Sequence, residues 1–163
     1  LALAVATGAI LNEGLYVTPT LLKRDAANPA QTRRVISAET SQTMRDLMRY
    51  VVTNGTGRNA RVKGLGIMGK TGTADKPSGD GYDERRLVSS FVAAFPYEDP
   101  TYVVLVSFDE PKGLKETYGY ATAGWNAAPT TGKVIERIAP MLGIPRRLDP
   151  VAYSPFSSTG ALR

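Results

Sequence analysis

The chain has 163 residues and a formal net charge of +5, with 20 Lys and Arg side chains against 15 Asp and Glu. It contains neither Cys nor His, which excludes disulfides, thiolate nucleophiles, His-ligated metals and a Ser-His-Asp triad within the chain. Length and an apolar content of 42% fit one globular domain and exclude global disorder. No cofactor and no metal are predicted, and acid or base chemistry would fall to Lys, Asp, Glu or Tyr.

The basic residues are scattered along the chain in pairs such as Arg58 and Arg61. Nucleic-acid binding needs a clustered basic face with base-stacking aromatic side chains, and the sequence shows no such pattern. We therefore expect a solvated surface and no nucleic-acid partner. The alternative, a basic nucleic-acid-binding domain, predicts salt-sensitive retention of DNA or RNA.

The first part of the chain predicts a buried helix over residues 2–13 that closes at Gly14. Its apolar run falls short of the ~20 residues that span a bilayer. An extended stretch at 16–17 and a short apolar element at 21–22 follow, and the polar residues 25–34 indicate a surface loop. Because the chain begins with Leu in mid-pattern, we expect a fragment or a processed product.

The clearest helical pattern follows Ser37, which is a plausible N-cap. Apolar residues recur there at i, i+3, i+4, i+7 and i+8, namely Met44, Leu47, Met48, Val51 and Val52. Asn54 and Gly55 are expected to end this helix.

Three strands are predicted next, a Gly-rich one over 65–74 and two apolar ones over 87–95 and 102–108. The short connection between the last two predicts an antiparallel pair, covered by helices on both faces. Residues 75–86, rich in Gly, Asp and Pro, predict a longer loop.

A final helix is predicted to start near Pro129, with an apolar face formed by Val134, Ile135, Ile138, Met141 and Leu142. Residues 146–163 contain several Ser and Pro and few large aliphatic side chains, so we expect a flexible tail. The element order predicts an α+β fold, an antiparallel sheet flanked by helices.

The segment 69–74 reads Gly-Lys-Thr-Gly-Thr-Ala on a predicted strand. Gly weakens a strand, which suggests that a ligand approaches the backbone closely here. Such a strand presents Lys70 and Gly72 on one face and Thr71 and Thr73 on the other. A twist at Gly72 would let a cation, hydroxyls and backbone amides converge on one small anion. Without the neighbouring Thr and Gly residues, Lys70 would be interpreted as a charge on an edge strand that prevents aggregation.

Lys-Thr-Gly on a strand resembles one of the three signature motifs of penicillin-binding proteins and serine β-lactamases. Further segments are similar to class B penicillin-binding proteins, namely 53–57 (Thr-Asn-Gly-Thr-Gly), 90–96, 102–106, 109–112 and 128–129 (Ala-Pro). The resemblance covers residues 1 to about 145 and is strongest to the transpeptidase domain of the septal, cell-division type.

The resemblance implies a penicillin-binding-protein/serine β-lactamase-like fold in which residues 1–145 form the C-terminal segment of the transpeptidase domain. It implies a serine D,D-transpeptidase that cross-links peptidoglycan during septum formation and is acylated by β-lactams. By this analogy the catalytic residues are Lys70 and Thr73, and the substrate-binding residues include Thr71 and Gly72. Lys70, Thr71 and Thr73 would hold the terminal carboxylate of a D-Ala-D-Ala stem peptide or of an antibiotic. Gly72 would let the acyl group lie close to the strand, and the N–H of Thr73 would donate to an oxyanion.

The resemblance also suggests Tyr118 and Tyr120 as substrate contacts, because they lie in a segment similar to an aromatic, Gly-rich loop of the family's site. Their surroundings depart from the family's shorter Tyr-x-Gly-Gly form, so ordinary packing is the alternative. Tyr82 is a weaker candidate. Asp109 and Glu110 are not favoured as a catalytic pair, because adjacent residues on a strand face opposite ways.

The family's nucleophile motif, Ser-x-x-Lys, and its second motif, Ser-x-Asn, do not occur in this sequence. We therefore expect the nucleophile to lie outside this chain, which alone would be inactive and would need the remainder of the transpeptidase domain as a partner. The alternative is a non-catalytic penicillin-binding or sensor module. The resemblance further implies anchoring in the inner membrane, a periplasmic catalytic domain and division proteins as partners.

Overall fold

The computed structural model describes residues 1–25, 27–79 and 81–147. Its elements are α1 (Ala2–Leu11), β1 (Leu15–Val17), β2 (Thr32–Arg34), α2 (Ala38–Thr53), β3 (Met68–Ser78), β4 (Gly81–Phe95), β5 (Tyr102–Asp109) and α3 (Ala127–Ile138). Two short 3-10 helices, Arg58–Ala60 and Lys115–Thr117, lie in the connections. The predicted α+β class is confirmed, and residues 148–163 of the predicted tail lie outside the described residues.

The strands β3, β4 and β5 form an antiparallel sheet with β4 in the centre. The prediction of a loop over 75–86 is wrong, because β3 and β4 pair again beyond a bulge between Asp75 and Lys76, as far as Ser78 and Gly81. This extension of the hairpin consists mainly of polar residues, so no apolar alternation revealed it in the sequence.

β4 contributes to the core on both faces, because successive side chains of a strand alternate. One face and α3 share a buried cluster that includes Phe91, Ala93, Phe95, Ala127, Ala128 and Ile135. The other face joins α1 and α2 in a cluster of Leu11, Met48, Met68 and Ala94. Each large apolar side chain buried in this way contributes about 1.5–3 kcal/mol, so β4 is the element on which the helices are assembled.

The two amphipathic helices begin at polar caps. Ser37 caps α2 as predicted, since its Oγ accepts a hydrogen bond from the backbone N–H of Thr40 at 3.0 Å. α3 begins before Pro129, because Asn126 Oδ1 accepts a hydrogen bond of 2.5 Å from Ala127 N and so forms the cap. Pro129 lies within the first turn, where its missing N–H costs no helical hydrogen bond.

Some predictions for apolar and loop residues are wrong. α3 ends at Ile138, which leaves Met141 84% exposed instead of on the apolar face of the helix. Leu21 and Leu22 form no packed element and are exposed. The predicted loop 25–34 contains β2, which pairs with β1 in a two-stranded antiparallel sheet. All three residues of β2 are exposed, so its sequence lacks the alternation of apolar and polar residues that indicates a strand.

The N-terminal helix α1 is buried on one side only. Ala9 and Leu11 are buried, whereas Leu1 and Leu3 are exposed, so the expected buried helix is buried only in part. In the described part of the chain, no helix has both the length and the hydrophobicity needed to span a membrane.

An ion-pair cluster joins the outer end of the β3–β4 hairpin to the end of β5. Lys76 Nζ lies 2.5 Å from Asp109 Oδ1 and 3.0 Å from Glu110 Oε1, and Arg86 Nε lies 2.8 Å from the same Glu110 oxygen. Glu110 follows the last residue of β5 with φ 50°, so both adjacent carboxylates reach one ammonium. Hydrogen bonds from Lys76 and Arg86 lower the pKa of Glu110 to about 2, which makes this carboxylate a poor proton acceptor.

We predict that Glu110→Gln makes the free energy of unfolding less sensitive to acid. A carboxyl whose pKa falls on folding stabilises the protein above its unfolded-state pKa of 4.5, and this contribution disappears as the pH falls toward 2. Denaturant unfolding between about pH 6 and pH 2 measures this slope. Glu136→Gln, which removes a carboxylate paired with Arg146 instead, is the matched control, and equal slopes for the two variants would contradict the prediction.

Candidate functional site

The predicted motif lies at an edge of the sheet, since β3 pairs only with β4 within the described residues. Opposed residues of an antiparallel pair share a face. Thr71 is opposite Phe91, which is buried on the side of the sheet that packs against α3. Thr73 lies on the same face by alternation, and Lys70 and Gly72 belong to the opposite one, as the sequence predicts.

Thr71 and Thr73 line a groove of about 540 Å³. One wall is the turn that follows α2, and the other is the loop that precedes α3. The remaining polar and aromatic lining side chains are Asn54, Thr56, Arg58, Asn59, Thr122 and Trp125. Hydroxyl, amide, indole and guanidinium groups all supply hydrogen-bond donors, so the groove is chemically suited to an anionic ligand.

Two hydrogen bonds join the walls of the groove directly to the motif. Thr71 Oγ1 lies 2.9 Å from Thr56 Oγ1 in the turn after α2. Thr73 Oγ1 accepts a hydrogen bond of 3.1 Å from the backbone N–H of Ala123. Since each hydroxyl has further lone pairs or a rotatable proton, both retain capacity to bind a ligand.

The loop before α3 is held by two asparagines. Asn126 Oδ1 accepts a hydrogen bond from Ser89 Oγ of β4, and Asn126 Nδ2 donates one of 2.7 Å to Ala121 O. From the other wall, Asn59 Nδ2 donates a hydrogen bond of 2.8 Å to Gly124 O. These bonds connect three separate segments of the chain, so the shape of the groove is fixed by tertiary structure.

Lys70 does not line this groove. Its side chain is exposed, and its Nζ donates a hydrogen bond of 2.9 Å to the backbone carbonyl of Thr71. The structure thus brings Thr71 and Thr73 together in one concavity and places the ammonium of Lys70 beside the strand backbone. A joint role of all three side chains stays a prediction.

The two glycines of the motif differ in what the fold requires of them. A Cβ at Gly69 would lie 2.6 Å from both Val92 O and the Phe91 ring, a distance that the packed sheet cannot accommodate. A Cβ at Gly72 would meet nothing closer than Ser90 O at 3.9 Å. Packing therefore explains Gly69, whereas at Gly72 the space above the strand is open to a ligand.

An aromatic cluster stands beside the groove. Tyr120 stacks on Trp125 with ring centroids 5.5 Å apart, and Tyr118 meets the same indole edge to face at 5.8 Å. Trp125 lines the groove, but the two tyrosines do not, and both are exposed. Packing against Trp125 thus accounts for one contact of each tyrosine ring, and both side chains remain accessible. Tyr82 does not line the groove either.

Sequence reasoning missed several residues of the groove. Arg58 and Asn59 follow directly after the Gly-Thr-Gly segment that carried part of the resemblance, and Trp125 is the single Trp of the chain. Adjacency to a recognised segment was therefore the signal for the first two. For Trp125 no local pattern existed, because its position depends on the fold of the loop before α3.

Comparison with known proteins identifies the family. Residues 1–135 match the penicillin binding protein transpeptidase domain. The chain is 44% identical to "Probable peptidoglycan D,D-transpeptidase FtsI" of Caulobacter vibrioides, covering 94% of this chain and 28% of that protein. It is 36% identical to "Stage V sporulation protein D" of Bacillus subtilis, covering 87% of this chain and 23% of that protein. The chain thus spans about a quarter of the length of these curated relatives.

Solved structures agree with this match. The transpeptidase domain of Burkholderia pseudomallei penicillin-binding protein 3 superposes with a TM-score of 0.78 at 35% identity, covering 90% of this chain and 43% of that one. Penicillin-binding protein 3 of Mycobacterium tuberculosis, solved in complex with ampicillin, has a TM-score of 0.74 at 26% identity, covering 93% and 37%. The family resemblance predicted from the sequence is confirmed.

We predict that alanine substitution affects stability strongly at Gly69 and weakly at Gly72. Gly69→Ala should lower the free energy of unfolding by about 1–3 kcal/mol, because the new methyl overlaps a carbonyl and a buried ring. Gly72→Ala should change it by no more than about 0.5 kcal/mol, because the space is empty. Urea denaturation measures both values, and a loss at Gly72 as large as that at Gly69 would show that packing also requires Gly72.

Proposed function

The chain belongs to the family of penicillin-binding-protein transpeptidase domains, and from this premise we propose that it is part of a serine D,D-transpeptidase. The whole protein would cross-link peptidoglycan during septum formation and be acylated by β-lactams. The names of relatives such as the Caulobacter vibrioides protein support the proposal. The observation that carries it is local: two hydroxyls on an edge strand face a donor-rich groove, beside a glycine that packing does not require.

The groove suits the carboxylate end of a peptide or of a β-lactam. An ionised carboxylate accepts hydrogen bonds only, and the hydroxyls of Thr71 and Thr73 can each donate one. Hydrogen bonds to charged groups contribute about 1.5–3 kcal/mol each. In this proposal Thr71 and Thr73 bind the carboxylate, and Gly72 leaves room for the acyl group to lie against the strand.

Lys70 would add a positive charge at the same edge of the strand. Its ammonium now donates to the neutral carbonyl of Thr71, a weaker partner than an ionised carboxylate. A carboxylate arriving at the strand edge offers the ammonium a stronger hydrogen bond. Lys70 would therefore act as an electrostatic anchor, with the exposed faces of Tyr118 and Tyr120 as further substrate contacts.

The reaction itself requires a nucleophile that this sequence does not contain, since no Ser occurs in the Ser-x-x-Lys motif. In the proposed whole enzyme, the oxygen of a Ser from the remainder of the domain attacks the carbonyl carbon between the two D-Ala residues. The oxyanion then accepts a hydrogen bond from the N–H of Thr73, the C–N bond breaks, the terminal D-Ala leaves as the amine with the proton given up by the Ser hydroxyl, and an acyl-enzyme forms. An amine of a second stem peptide takes up the acyl group and releases the Ser.

The cellular setting follows from the same proposal. A septal transpeptidase of this family would be anchored in the inner membrane, with its catalytic domain in the periplasm and division proteins as partners.

We predict that the full-length protein is labelled covalently by a fluorescent penicillin, whereas this chain alone is not. We expect this difference because the attacking Ser lies outside the chain. Gel fluorescence after denaturation measures the covalent label. Labelling of the isolated chain would refute the proposal that the nucleophile lies outside this chain. An unlabelled full-length protein would favour a non-catalytic module.

We also predict that Lys70→Ala and Thr73→Val each slow acylation of the full-length protein more than tenfold. A tenfold decrease corresponds to the loss of about 1.4 kcal/mol of transition-state stabilisation. Thr73→Val also removes the acceptor for Ala123 N, so Thr73→Ser, which keeps the hydroxyl, is its control. Stopped-flow acylation kinetics measure the rates, and thermal unfolding separates binding from folding. Unchanged rates in both variants would remove the roles assigned to these residues.

A further inference from the structure

The groove beside β3 contains a cation that sequence reasoning assigned to the surface. We propose that the guanidinium of Arg58 binds the substrate or β-lactam carboxylate together with the hydroxyls of Thr71 and Thr73, and that it determines the preference for a ligand with a free carboxylate. This inference rests on the proposed function, because it names a further binding residue for the same reaction.

The first observation is the face of the strand on which each cation lies. Thr71 and Thr73 belong to the face that lines the groove, and Arg58 lines the same groove. Lys70 belongs to the opposite face and does not line it. A carboxylate bound by the two hydroxyls inside the groove would therefore have Arg58 as the cation on its own side of the strand.

The second observation is the charge balance. Lys76, Arg86 and Arg146 are each paired with a carboxylate, whereas no carboxylate of the described segments pairs with Arg58. No Asp or Glu is found among the groove residues that the structure describes. An exposed guanidinium without a carboxylate partner has its N–H donors bound to water, and an anionic ligand can replace that water with charge-assisted hydrogen bonds.

The third observation is that the backbone under Arg58 is firmly packed. Arg58 is the first residue of a short 3-10 helix that follows Gly57. A Cβ added at Gly57 would lie only 3.0 Å from the buried Phe91 ring. Ala60, the last residue of this 3-10 helix, is fully buried. The residue between Arg58 and Ala60, Asn59, donates a hydrogen bond across the groove to Gly124 O. The side chain of Arg58 is exposed, but its starting point is fixed relative to β3.

The chemistry of the group suits this task. A guanidinium is planar and stays charged, and it presents N–H donors in a fork that matches the two oxygens of a carboxylate. The two threonine hydroxyls each contribute one rotatable donor from the strand. Together these groups can satisfy both carboxylate oxygens, which a single ammonium cannot do with the same directionality.

The test compares acylation of the full-length protein by benzylpenicillin and by its methyl ester, which has the same ring system without the negative charge. Arg58→Gln should reduce the acylation rate at least tenfold for the acid and less than twofold for the ester. Arg58→Lys should recover part of the loss, because the charge returns without the fork. Lys63→Gln, which removes an exposed positive charge outside the groove, should leave both rates unchanged.

The outcomes separate the two proposals. If the wild-type protein is acylated but Arg58→Gln leaves the acid-to-ester rate ratio unchanged, the inference on Arg58 is overturned while the proposed function stands. An equal loss for acid and ester would assign Arg58 to the scaffold and would also overturn it. If the wild-type protein reacts with neither compound, the proposed function fails and the inference fails with it.

Discussion

The pairing of β3 with β4 is the interaction on which the rest of the site depends. The register that places Thr71 opposite Phe91 fixes which side chains of β3 face α3 and which face the opposite side. A shift by one residue would exchange the two faces and would bring Lys70 to the groove in place of the threonines. Burial of Phe91 and its neighbours on β4 makes such a shift costly, so the hydrophobic core enforces the arrangement of the polar groups.

The groove is also a product of long-range contacts. Its three parts, at residues 54–59, 71–73 and 122–125, are far apart in sequence and meet through hydrogen bonds such as those from Asn59 to Gly124 and from Ala123 to Thr73. Each of these hydrogen bonds helps to fix the shape of the groove and also occupies a polar group that lines it. Substitutions in this region therefore combine structural and binding effects, and double-mutant cycles can measure how strongly the two are coupled.

Sequence reasoning succeeded where local signals and tertiary structure agree. The 3.6-residue apolar period and the Ser37 cap located α2, and apolar runs of strand length located β4 and β5. It failed for the polar extension of the β3–β4 hairpin and for the exposed strand β2, because backbone pairing outside the core leaves no apolar pattern. It also missed Arg58 and Trp125, since a residue enters a groove through the packing of distant segments.

The structure distinguishes residues that look equivalent in the sequence. Gly69 and Gly72 are three positions apart in one motif, yet only the first is required by a packed ring and a carbonyl. Among the basic residues, Lys76 is neutralised by neighbouring carboxylates, whereas Arg58 lies among neutral donors. A net charge of +5 favours the approach of any anion, but salt screens it beyond about 8 Å. Selectivity for the proposed carboxylate would therefore come from the few donors that contact it, at the groove beside β3.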